Sequence, residues 1–60
     1  MILEVRMSDD GRIAALFKEL LSVTKKPWLT FGWREESNIT AWHLTDSEVE
    51  DWKVLYRKED

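Results

Sequence analysis

The sequence predicts an α+β domain with the element order strand, helix, strand, strand, helix. Three patterns lead to this: strict alternation over residues 2–7, a helical apolar stripe from Ile13 to Thr24, and a helix-start signature at Thr45 and Glu48.

The first element is a strand over residues 2–7. Leu3, Val5 and Met7 point one way, and Ile2, Glu4 and Arg6 the other, as in a half-buried strand. Ser8-Asp9-Asp10-Gly11 comes next, and Asp10-Gly11 suits a hairpin turn. The segment after it argues for a helix over 9–25 instead. Ile13, Leu16, Phe17, Leu20, Leu21 and Thr24 recur at helical spacing, with good helix formers between them. The acidic start and the Lys25-Lys26 end complement a helix dipole, and Pro27 stops propagation.

Residues 28–35 read as a strand, with Leu29, Phe31 and Trp33 on one face and Trp28, Thr30, Gly32 and Arg34 on the other. A loop at Glu36-Ser37-Asn38 would return the chain antiparallel through a strand over 39–44. That register sets Trp42 opposite Gly32. Thr45 and Glu48 then form a capping box, with Leu44 and Val49 at hydrophobic-staple positions, so a helix is expected over 46–58. Its stripe would be Val49, Trp52, Leu55 and Tyr56.

These elements make one domain over residues 1–60. The expected sheet is three-stranded and mainly antiparallel, in the order 1-3-2, after a right-handed first crossover. Both helices cover one face. The topology is that of a ferredoxin-like fold lacking its last strand. Leu29, Phe31, Trp33, Ile39 and Ala41 would lie under the helices. Trp28, Trp42, Leu44 and Ile2 would lie on the bare side.

Composition narrows the chemistry. A chain of 60 residues is marginal for its size, and four tryptophans supply much of the area it can bury. The absence of cysteine excludes disulfides, thiolate metal sites and cysteine nucleophiles, and it fits a reducing cytoplasm. The start Met1–Arg6 lacks the basic and apolar regions of a secretion signal, so Asn38-Ile39-Thr40 is read as a chance sequon. No apolar run reaches the length of a membrane span, and none is expected to engage a membrane.

No catalytic constellation is present in the sequence. His43 has no named base or nucleophile partner and reads as a strand-end residue. Asp46, Glu48, Glu50 and Asp51 would point around a helix start instead of converging on a cation. Neither Asp9-Asp10-Gly11 nor the two glycines make a metal or phosphate loop. No enzyme activity, metal or cofactor is expected.

The aromatic set suggests binding. Trp28, Thr30, Arg34, Thr40, Trp42 and Leu44 form the candidate partner-binding surface, because large exposed apolar patches mark interaction sites. The expected function is a non-enzymatic protein-interaction or regulatory module, homodimeric or bound to a larger protein. Its economy suits a bacterial or phage accessory protein. The alternative is single-stranded nucleic-acid binding, with Trp28, Trp42 and Arg34 stacking bases as in RNA-recognition domains. The net charge of −3 and the lack of a basic-aromatic motif weigh against it.

Overall fold

Residues 13–17, Ile-Ala-Ala-Leu-Phe, form a central strand, and this one assignment changes the architecture. The computed structural model describes residues 1–31 and 41–59. Among them it has five strands: β1 (Ile2–Met7), β2 (Ile13–Phe17), β3 (Trp28–Phe31), β4 (Ala41–Leu44) and β5 (Lys53–Arg57). They make one antiparallel sheet in the order β4-β3-β2-β1-β5. The protein is therefore all-β, and the expected α+β domain with two helices on a three-stranded 1-3-2 sheet is overturned.

Each correction has a physical reason. The expected helix over 9–25 becomes β2, a single 3-10 turn (Lys18–Leu20) and further turns. A run that is apolar at every position satisfies a period of 2 as well as 3.6. Paired on both sides, β2 fills backbone hydrogen bonds and buries apolar groups on both faces, as central strands do. The crossover disappears because β1 and β2 are a hairpin. Ser8 N–H donates to the Arg12 carbonyl at 2.9 Å, and Gly11 N–H to the Ser8 carbonyl at 3.0 Å. Gly11 sits at φ +91°, a conformation that glycine adopts without a Cβ penalty.

The expected helix over 46–58 also shrinks to one 3-10 turn (Ser47–Val49) followed by β5. The capping box itself is present. Thr45 N–H donates to Glu48 Oε1 at 3.0 Å, and Glu48 N–H donates to Thr45 Oγ1 at 3.3 Å. It starts a turn, and the chain then leaves that turn to pair with the otherwise open edge of β1. The strand at 2–7 is found as expected. β3 and β4 pair antiparallel, but Trp42 lies opposite Thr30, not Gly32. The remainder of the 28–35 and 39–44 strands, with the hairpin loop at 36–38, lies outside the described residues.

Cross-strand register defines two faces. Glu4 and Arg6 share one with Ala14, Leu16, Trp28, Thr30, Trp42 and Leu44. The β4–β5 connection folds over this face and seals it with Val49 and Trp52. The core is Ala14, Trp28 and Val49, with Leu16, Leu44 and Trp52 packed around it. Trp28 is 2% exposed; its indole N–H donates to Asp46 Oδ1 at 2.6 Å, and the Arg6 guanidinium lies 4.8 Å from its ring centroid. Arg6 also donates to the Val49 carbonyl at 2.8 Å. The covering segment is thus held at both ends of the indole. Phe17, expected at the centre of the core, is half-buried on the other face.

A domain of this size has a total stability of only about 3–9 kcal/mol by the usual per-residue range. Trp28→Ala should cost about 3–5 kcal/mol, abolishing or nearly abolishing the folded state. Trp28→Phe, which keeps a ring but removes the donor to Asp46, should cost less. Urea unfolding followed by circular dichroism measures both. A wild-type midpoint for Trp28→Ala would remove Trp28 from the core.

Candidate interaction surface

The opposite face of the sheet is largely apolar, with Lys53 beside Met7 at one margin. Val5, Ala15, Leu29 and His43 form one row across β1 to β4, and Tyr56 extends it onto β5. Met7 and Ile13 pair in the adjoining row. None of these residues is buried: Val5, Met7, Ala15 and Leu29 are half-buried, while Ile13, His43 and Tyr56 are exposed. At one corner Phe17, Glu19, Leu20, Leu29 and His43 line a groove of about 290 Å³. Its one carboxylate is already engaged, since Glu19 accepts from the N-terminal ammonium at 2.6 and 2.5 Å. That contact holds the Glu19 carboxyl below its ordinary range.

Strand geometry creates this surface. Alternation sends Trp28 and Thr30 to the covered side and Leu29 between them to the open side. A bulge in β5 restores Tyr56 to the open face: Val5 pairs with Tyr56 while Arg6 pairs with Val54, leaving Leu55 as the extra residue.

The sequence-derived site residues are placed differently. Trp28 and Thr30 are both 2% exposed, and the Thr30 hydroxyl donates to the Ile13 carbonyl at 2.7 Å. Leu44 is half-buried opposite Trp28. Trp42 is 39% exposed on the edge strand β4, on the covered side of the sheet. Arg34 and Thr40 lie outside the described residues. Ile2 is exposed and pairs with Phe17. A base-stacking surface built on Trp28 is not available in this arrangement, because that indole is interior. The open face was missed because parity was assigned the other way. The signal that could have found it was the unbroken apolar run at 13–17 beside Asp10-Gly11, a hairpin leading to a two-faced strand.

Three of the charged candidates, Asp10, Asp46 and Glu48, have structural partners. Asp46 accepts from Trp28, Glu48 caps its turn, and Asp10 accepts from Arg12 Nε at 3.1 Å and from the Ser8 hydroxyl. Lys25-Lys26 lies in the turn before Pro27, where Lys26 N–H donates to Thr24 Oγ1 at 3.1 Å. His43, expected to be partly buried at a strand end, is exposed. Among the described residues no group of three or more His, Cys, Asp or Glu is placed to hold a metal, and no helix is long and apolar enough to cross a membrane.

On the covered side, Glu4 is 8% exposed and is held by Arg6 and by Arg57, whose Nε donates at 3.0 Å. Burial pushes the Glu4 carboxyl up, but the bonds from Arg57 and Arg6 and their charges outweigh it, leaving its pKa below the ordinary value. A carboxylate depressed in the folded state contributes stability above its unfolded pKa and loses that contribution as pH falls through its folded pKa. Glu4→Gln should therefore lower stability at neutral pH and flatten its decline on acidification through the carboxylate range. Urea midpoints from pH 7 to pH 3 measure this, and an unchanged acid limb in the variant would show that Glu4 is not the responsible group.

Comparison with protein-family models, with curated proteins and with solved structures finds no match for this chain.

Proposed function

We propose that this chain is a small, non-enzymatic protein-interaction module that acts by self-association or by binding a larger protein. The contact surface in this reading is the open face carrying Val5, Met7, Ile13, Ala15, Leu29 and Tyr56. The observation that carries it is that Val5, Met7, Ile13, Ala15, Leu29 and Tyr56 share one sheet face with Lys53 and His43 at its margins, and none of the six is buried. Contiguous exposed apolar patches of this kind are uncommon on chains that work alone, and they mark interaction sites. An accessory or regulatory role in a bacterial or phage setting suits so small a module.

Placing a photoreactive benzoylphenylalanine at position 56 tests the reading. Tyr56 is already aromatic and 49% exposed, so the replacement is tolerated by the fold. Irradiation of cells producing the protein should give discrete adducts from position 56. The same probe at Glu50, exposed beside the 3-10 turn over the covered face, should give none. Folded protein that forms no adduct from position 56 would overturn the proposal.

A further inference from the structure

We infer that Glu4 is an acid-sensitive latch for the outermost strand β5, holding it on the sheet while ionised and letting it detach, ahead of the rest of the domain, once protonated. This latch is independent of what the open face binds. β5 is the least anchored of the described strands. Among the described residues it lies at one end of the sheet and pairs only with β1. All five of its residues are exposed. Its ladder with β1 is interrupted by the bulge at Leu55. Segments with few buried groups and solvent-exposed backbone bonds open at the lowest free energy.

One buried carboxylate joins this strand to the covered face. Glu4 Oε2 accepts from Arg6 Nε on β1, and Glu4 Oε1 accepts from Arg57 Nε on β5 at 3.0 Å. The two guanidinium groups are held unequally. Arg6 also donates to the Val49 carbonyl and lies over the Trp28 ring. Among the described residues, Glu4 is the sole hydrogen-bond partner of the Arg57 side chain. A protonated carboxyl carries a hydrogen on one oxygen, so it cannot accept from both cations as the ionised group does. Arg57 then loses its hold, while Arg6 keeps Val49 and Trp28.

The charges around Glu4 set the sign of the effect. β1 contributes Arg6 and β5 contributes Arg57, while β2 places the uncharged Leu16 opposite Glu4. The covering connection brings Asp46 and Glu50, which share a pocket with Arg6, and Asp46 is bonded to the Trp28 indole. Burial pushes the Glu4 carboxyl up, and the bonds and charges of Arg57 and Arg6 bring it below its ordinary value. A carboxylate depressed in this way stabilises the docked arrangement above the carboxylate range, and that contribution is lost as pH falls through its docked-state pKa. Release bares the edge of β1, whose backbone groups then have no strand beside them, and carries Tyr56 off the open face.

Amide hydrogen exchange, resolved by residue and normalised to intrinsic rates, tests this from pH 7 to pH 3. The Lys58 N–H, which donates to the Leu3 carbonyl at 2.8 Å, reports docking of β5. The amides of β2, a strand paired on both sides, report the rest of the sheet. In wild type, Lys58 should lose protection through the carboxylate range while β2 stays protected. Arg57→Gln alters a side chain that is 62% exposed and leaves Arg6 on Glu4. At pH 7 it should raise the opening of β5 on the order of tenfold and remove most of the pH dependence at Lys58. Lys53→Gln removes a charge from the same strand on the other face and should keep the wild-type pH dependence. Lys58 protection that does not fall with pH, or that falls in parallel with β2, would overturn the latch, the second because opening would then be global. Arg57→Gln with the wild-type pH dependence at Lys58 would overturn it as well.

Discussion

The fold depends on how one indole is enclosed. Trp28 lies between Leu16 and Leu44 on neighbouring strands, under Val49, with Arg6 over its ring and Asp46 on its N–H. Each contact ties a different part of the chain to β3. Arg6 brings β1, Leu16 brings β2, Leu44 brings β4, and Asp46 with Val49 bring the connection to β5. Arg6 also needs a counter-charge in this low-dielectric setting, and Glu4 supplies it on the same face while also accepting from Arg57 of β5. A hydrophobic contact and a satisfied polar network therefore share one centre. No described buried side-chain nitrogen or oxygen is left without a partner.

Enclosing Trp28 on one side has a direct consequence on the other. A single sheet has two faces, and the β4–β5 connection is committed to the one carrying Trp28. Because alternation is strict, the residues between the core positions must point away from it: Val5 between Glu4 and Arg6, Ala15 between Ala14 and Leu16, Leu29 between Trp28 and Thr30. They are apolar, so among the described residues both faces carry apolar side chains and the β4–β5 connection covers one of them. The proposed interaction role arises from that imbalance.

Parts of this were legible in the residues. Alternation located β1, aromatic and β-branched residues located β3 and β4 and their antiparallel pairing, and Thr45 with Glu48 located the turn after β4. A capping box marks where a turn begins; the residues beyond it decide how long the turn runs. Here Val54-Leu55-Tyr56 gains more from pairing with β1 than from continuing a helix. Ile13 to Phe17 is ambiguous by construction, because apolar residues at every position fit either period, and long-range pairing with β1 and β3 decides. The candidate surface residues are placed differently for a related reason. Local alternation correctly separates Trp28 from Leu29, but it carries no sign. Covering the sheet with Val49 and Trp52, instead of with two helices, reverses which face is interior. Trp42 remains partly exposed in the structure, but beside the core and not on the open face.

Core and surface both depend on which face is interior, and nuclear Overhauser contacts in the folded protein decide that. Strong contacts should run from the Trp28 indole ring to the Val49 methyls and to the Arg6 side chain. Leu29 should show contacts to Ala15 and none to Val49. Contacts from Leu29 to Val49, with the Trp28 ring lacking them, would place the opposite face inside and contradict both the core and the surface described for this chain.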